Sequence, residues 1–199
     1  MMVEYLYNMT ISWQNWRNRE NIDPKNFICG YCGHDVGSST GYVNTPSIRI
    51  YICTYCGKPT FFDNEEQYPG ALLGRTINNL PLGVEQIYKE MRDSYKHSSF
   101  TAVSLLGRKL IMHLAVDIAG AEEGKNFVSY IEYLKESGYI PPYGDKLLEY
   151  LKNIGNEKNH EIKIGTKEEA TKIIKLVEVL LIFMYEFPSE FPYNKEEQS

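Results

Sequence analysis

Four cysteines stand in two matched pairs, Cys29-Gly-Tyr-Cys32-Gly and Cys53-Thr-Tyr-Cys56-Gly, with twenty residues between the pairs. Thiolates are soft ligands, and a two-residue spacer lets both sulfurs of a pair reach one ion from a tight turn. The pattern predicts one tetrahedral Zn²⁺ held by Cys29, Cys32, Cys53 and Cys56. The glycine after each second cysteine suits a turn that needs positive φ. A four-sulfur site is closed and leaves no position for a substrate or an activated water, so a structural role is expected. An iron–sulfur cluster is the main competing chemistry. Two disulfides or a redox pair fit less well. The start, Met1-Met2-Val3-Glu4-Tyr5, lacks a basic segment followed by an apolar run, so the expected compartment is a reducing cytoplasm. His34 reads as a loop histidine, because four sulfurs complete the shell.

A second group lies far downstream, in Lys152-Asn153-Ile154-Gly155-Asn156-Glu157-Lys158-Asn159-His160. Asn156 and His160 are four apart and share a face if this run is helical. A histidine that titrates near neutrality beside an amide can move a proton. The same residues also read as a buried polar pair with satisfied partners, Gly155 permitting close helix approach. On the residues alone that is the favoured reading.

Positioning these groups requires a folded frame. The chain has 199 residues, 43% apolar and 24% charged, with a formal charge of −5. That composition is globular. The best apolar stretch, Val177 to Tyr185, is broken by Glu178 and too short to span a bilayer, so no membrane partner is expected. Residues up to Asp63 carry five basic and five acidic side chains, and the rest carry 16 and 21. Such a balance exerts no general pull on nucleic acid, and any such contact needs a local patch.

The expected class is α+β, a small zinc ribbon followed by an all-α bundle of five helices. Residues 1–26 form an aromatic arm with Trp13, Trp16, Arg17 and Arg19, read as a packing or docking segment, with base stacking as the alternative. Residues 27–63 form the ribbon. Phe27-Ile28 enters the first knuckle, Arg49-Ile50-Tyr51-Ile52 the second, and Thr60-Phe61-Phe62 leaves it, which predicts two short β-hairpins clamped by metal. Residues 64–80 read as a linker, 81–190 as the bundle and 191–199 as a tail.

Helical periodicity begins with Val84, Ile87, Tyr88, Met91 and Tyr95. A longer stripe follows over Phe100, Val103, Leu106, Leu110, Ile111, Leu114 and Ile118, with Gly120 as its stop. Phe127, Tyr130, Ile131 and Leu134 mark a third helix, and Leu147, Leu148, Leu151 and Ile154 a fourth. Thr166-Lys167-Glu168-Glu169 is a capping box opening the fifth, with Ala170, Ile173, Ile174, Val177, Leu180, Leu181 and Met184 on its apolar side and Pro188 as its end.

Several of these pieces together resemble the family called domain of unknown function 4145. They are Leu80-Pro81-x-x-Val84, Ala102 through Arg108, Gly138-Tyr139-Ile140-Pro141, Ile154-Gly155-Asn156-x-x-x-His160 and Tyr185-x-x-Pro188. The likeness covers over half of the chain, and members often carry an N-terminal zinc ribbon. It implies a HEPN-like helical domain, a superfamily of RNases in toxin–antitoxin, phage-defence and CRISPR systems that also has inactive nucleotide- or RNA-binding members that often dimerise. An active member places an arginine ahead of a histidine on one helix with four to six residues between them. Arginine holds phosphate, and histidine handles the proton of the attacking 2′-hydroxyl. His160 matches the histidine, but the preceding base is Lys152, with seven residues intervening. Arg108 is a further cation for the same site.

The leading expectation is a cytoplasmic, zinc-binding regulatory protein of prokaryotic or phage defence or counter-defence. It would be a homodimer that binds a nucleotide, nucleic acid or protein, and a non-enzyme. The alternatives are a metal-independent endoribonuclease using His160 with Asn156 and Arg108 or Lys152, and a structural subunit of a larger complex.

Overall fold

A computed structural model of the chain describes residues 15–140 and 164–190. The chain folds as two compact units, Met1–Leu72 and Leu73–Ser199. Together they are α+β, as the sequence predicts; among the described residues the strands lie in the first unit and the helices in the second.

The first unit is one antiparallel sheet whose spatial order follows the chain: β1 (Glu20–Ile28), β2 (Asp35–Val43), β3 (Ile48–Ile52), β4 (Pro59–Asp63) and β5 (Glu66–Tyr68). The two separate hairpins expected from the sequence are therefore joined, because β2 pairs with β3 through Gly41↔Tyr51, Tyr42↔Ile50 and Val43↔Arg49. Glycine makes this pairing possible: a Cβ at position 41 would lie 1.8 Å from the Ile50 carbonyl oxygen.

The sheet also reaches beyond the expected ribbon at both ends. β1 begins at Glu20, inside the segment read as an arm. Pro24 hid this strand, and it is tolerated because β1 is an edge and the register shifts between Asn21 and Lys25. β5 lies inside the segment read as a linker. It pairs with β4 across a two-residue turn in which Asn64 takes φ +53°, a conformation asparagine accepts more readily than most residues.

The core of this unit is small. Phe27, Tyr51 and Phe62 meet in tilted and edge-to-face contacts, with centroids 5.3 to 6.2 Å apart. Val36, Cys29 and Cys53 complete the buried cluster, so two of the sulfurs belong to the hydrophobic core itself.

In the second unit, α1 (Leu82–Lys96), α2 (Phe100–His113), α3 (Phe127–Glu136) and α4 (Lys167–Leu181) surround one apolar core. Four helices stand among the described residues. The expected fourth, over Leu147 to Ile154, lies outside them. The predicted faces of α3 and α4 are buried without exception. Gly107 sets the approach of α2 and α4, since a Cβ there would sit 2.2 Å from Ile173 Cγ2. The capping box is present: the Thr166 hydroxyl accepts from the Glu169 N–H at 3.2 Å, and the Glu169 carboxylate accepts from the Thr166 N–H at 3.0 Å.

Two departures from helical periodicity share one cause, a widening to π geometry. After α2 the chain continues as a π-helix over Leu114–Ile118, in which the Ala119 N–H reaches back to the Leu114 carbonyl. The wider turn carries Ile118 off the apolar stripe to the surface. After α4 a second π segment, Ile182–Glu186, precedes Pro188, which has no N–H to donate. Helical geometry persists through Phe187–Glu190 and does not stop at the proline.

Part of the expected linker is tied to the helices. The Arg92 guanidinium donates to the carbonyls of Leu73 and Gly74. Glu186 accepts both Arg75 guanidinium nitrogens, at 3.0 and 2.5 Å, and the Asn78 N–H at 2.9 Å. The Arg75 fork and the Asn78 N–H together hold the Glu186 carboxyl below the usual carboxylate range.

Candidate metal centre and helical cleft

The four cysteines sit in two copies of one backbone turn. In the first, Cys29 N–H donates to the His34 carbonyl and Gly33 N–H to the Cys29 carbonyl, both at 2.9 Å. In the second, Cys53 N–H donates to Lys58 and Gly57 N–H to Cys53, again at 2.9 Å. Gly33 and Gly57 take φ values of +73° and +74°, the conformation that the sequence requires of them. Each turn aims an N–H at sulfur, from Tyr31 to Cys29 at 3.4 Å and from Cys56 to Cys53 at 3.5 Å.

This folding places all four sulfurs within 4.8 Å of one another. Cys29 and Cys56 are 3.8 Å apart, as are Cys32 and Cys53. A disulfide would need about 2.05 Å, and the four thiols are free. A tetrahedron with metal–sulfur bonds of ~2.3 Å has edges of about 3.8 Å. The donor set and its spacing therefore fit a single tetrahedral metal ion.

Burial pushes the thiols of Cys29 and Cys56 up. Burial opposes charge on Cys53 too, but the N–H groups of Cys56 and Tyr55 together with the thiols of Cys56 and Cys29 lower that thiol on balance. Four thiolates this close repel one another, and a divalent cation relieves the repulsion.

Around the sulfurs, the residue after each turn's glycine covers the tyrosine inside the other turn. His34 stacks on Tyr55, and Lys58 Nζ lies 5.0 Å from the Tyr31 ring centroid. His34 Nδ1 lies 3.2 Å from the Cys32 carbonyl oxygen, so it is a loop residue beside the complete four-sulfur set. Trp16 donates its indole N–H to the Gly57 carbonyl at 2.7 Å and meets Tyr42 edge-on. At Gly30 a Cβ would lie 2.4 Å from the Gly70 carbonyl oxygen, so Pro69-Gly70 closes against the first turn.

Lys152, Asn156 and His160 lie outside the described residues. Arg108 is on α2, with its guanidinium carbon 4.8 Å from the Phe127 ring centroid. It lines a cleft of about 920 Å³ bordered by α1, α2 and the following π segment, with Lys109, His113, Asp117 and Tyr130. His113 Nδ1 pairs with an Asp117 carboxylate oxygen at 2.6 Å.

Sequence reasoning missed His113. Four residues separate it from Arg108, the spacing that the resemblance asks for. The signal lies in Arg108-Lys-Leu-Ile-Met-His113, which has the arginine-to-histidine spacing that the Lys152-to-His160 run lacks.

A small sheet unit with a four-thiol centre, followed by a helical unit with its own core and cleft, defines the class of protein. The family described as Domain of unknown function (DUF4145) matches residues 89–197. That is over half of the chain, and the protein belongs to this family. The match starts within α1, later than Leu80, and continues past Pro188. No curated protein and no solved structure matches the chain.

Proposed function

We propose that this protein is a zinc-binding member of its family whose helical unit is HEPN-like and binds RNA or a nucleotide in the α2 cleft. One observation carries the reading: a guanidinium, an ammonium and a histidine, from Arg108, Lys109 and His113, line one cavity of ligand size. Zinc is the ion of choice because four thiolates at tetrahedral spacing match its preferred shell. When bound, it holds the two turns together and supplies no open position for chemistry. A reducing cytoplasm suits four free thiols, and the setting in defence or counter-defence follows the resemblance alone. Equilibrium binding of fluorescent RNA to wild-type protein and to Arg108→Ala tests the reading. A loss of about tenfold or more is expected, and equal affinities would overturn it.

The Arg108–His113 spacing favours a second reading, RNA cleavage. Arg108 would hold the scissile phosphate while His113 takes the proton of the 2′-hydroxyl. The 2′-oxygen then bonds to phosphorus as the bond to the 5′-oxygen breaks; the leaving oxygen takes a proton from water, and the proton held by His113 neutralises the hydroxide so formed, leaving a 2′,3′-cyclic phosphate, a 5′-hydroxyl and neutral His113. Asp117 orients the imidazole through Nδ1 and leaves Nε2 for proton transfer.

A further inference from the structure

We infer that the outer face of the five-stranded sheet is an interface with a second copy of this chain. Strand register sets Tyr42, Ile50, Phe61 and Tyr68 in one row across β2, β3, β4 and β5, through the pairs Tyr42↔Ile50, Ile50↔Phe61 and Phe61↔Tyr68. Side chains alternate along a strand, so this row lies on the face opposite the buried rings of Tyr51 and Phe62, the residues that follow Ile50 and Phe61. Phe61 is 38% exposed and Tyr68 49%, with their rings 6.1 Å apart, while Tyr42 and Ile50 are half-buried. Trp16 meets Tyr42 edge-on and carries the row past β2. Single exposed apolar residues are ordinary on a protein surface, but a continuous apolar row across four strands is not. The row itself contains no charged side chain. Such a face is normally covered by a second layer.

Charge at the two ends of the row selects the occupant. At the β2 end, the Tyr42 hydroxyl donates to the Arg17 carbonyl, and Arg19 directly precedes Glu20, which pairs with Gly41 beside Tyr42. Both arginines are exposed. At the β5 end, the Tyr68 hydroxyl donates to the Glu66 carboxylate, and Glu66 pairs with Asp63 across β4 and β5. Both of these carboxylate residues are exposed. The face is therefore basic at one end, apolar in the middle and acidic at the other end. A nucleic acid would meet carboxylates at the β5 end, and a uniformly charged protein would meet like charge at one end or the other. A second copy meets neither obstacle. A two-fold axis lying between the sheets, at right angles to the row and crossing it between Ile50 and Phe61, sets β2 of one copy over β5 of the other. Each basic end then faces an acidic end, and the apolar middles cover each other, which is the self-complementarity an isologous contact requires. Sheets packed this way lie about 10 Å apart, close enough for rings of this size to interdigitate. The inference rests on the first unit alone and is independent of the α2 cleft.

Sedimentation equilibrium on the full chain loaded with zinc tests this, with metal content and amide spectra confirming that each variant is folded. The wild-type chain should reach twice its monomer mass as concentration rises. Phe61→Lys and the milder Phe61→Ser should each weaken the dimer by about tenfold or more. Glu66→Arg alone sets like charges against each other at both ends and should weaken it, as should Arg19→Glu alone. Combining Arg19→Glu with Glu66→Arg exchanges the ends and should restore association, a result that no contact made elsewhere on the molecule would produce. The proposal is overturned if the full chain stays monomeric, if folded Phe61→Lys and Phe61→Ser variants dimerise as wild type, or if the exchanged pair restores nothing. A monomeric full chain that becomes dimeric when residues 1–14 are deleted would also overturn it, assigning the row to the chain's own N-terminal segment.

Discussion

His34 and Tyr55 stack with ring centroids 3.6 Å apart and planes 18° from parallel. They come from different cysteine turns, so this contact forms only when both turns are closed around the same point. It is a local reporter of whether the metal centre is assembled.

Removing the metal should therefore undo the first unit and spare the second. A strong chelator, or Cys53→Ser, is expected to abolish the sheet signals of Glu20–Tyr68 while most helicity remains. Among the described residues the sheet unit buries three rings and a few aliphatic groups, whereas the helical unit has its own extensive core. Far-UV circular dichroism with parallel hydrogen exchange would measure this. Loss of helix along with metal would contradict the independence of the two units.

Gly107→Ala should destabilise the helical unit. Alanine gains about 1 kcal/mol over glycine as a helix former, but a Cβ placed 2.2 Å from Ile173 Cγ2 brings an overpacking cost of roughly 1–3 kcal/mol. Ile173→Ala alone should cost about 2–5 kcal/mol. In that background the added methyl has room and should become stabilising. A double-mutant cycle by urea denaturation reads the change of sign.

If the α2 cleft cleaves RNA, His113→Ala should remove cleavage but keep most RNA affinity, while Arg108→Ala should lower both. Asp117→Asn should reduce cleavage by a smaller factor, since it still orients the imidazole without charge. Gel analysis of 5′-labelled RNA, with detection of cyclic phosphate ends, distinguishes these outcomes. His160→Ala eliminating cleavage while His113→Ala retains it would move the site to the run that sequence reading favoured.

The Arg75–Glu186 pair should make stability depend on acid. The carboxyl of Glu186 is held below its unfolded value, so the folded state binds this proton less readily than the unfolded state. Its contribution is complete above the ordinary carboxylate range near pH ~4.3 and is lost as pH falls through the lower folded value. Glu186→Gln should therefore melt at a lower temperature than wild type at neutral pH, with the gap closing in acid. A constant gap across the range would refute the assignment.

The sequence announces the features written in local chemistry. Cysteine spacing, the two positive-φ glycines, the capping box and the stripes of α3 and α4 each depend on residues a few positions apart. What escaped notice depends on distant partners. Pro24 argues against a strand unless the edge position and shifted register are known, and Glu66–Tyr68 is too short to signal pairing with β4. Gly41 carries no local signal of strand pairing until Ile50 is seen beside it. The π segments break a period that sequence analysis assumes to be constant. Arg108 and His113 had the expected spacing but lay on the second helix, where only the apolar stripe and Arg108 itself were read.

The four-cysteine cluster has an inner and an outer half. Cys29 and Cys53 are fully enclosed behind Phe27, Tyr51 and Phe62, while Cys32 and Cys56 are partly open to solvent. An incoming chelator or electrophile meets Cys32 and Cys56 first, and the enclosed pair can be reached only after the sheet core loosens. The cluster is therefore expected to come apart in a fixed order. Alkylation should begin at the outer thiols, and an ion held by the two inner sulfurs alone is the natural intermediate in its release.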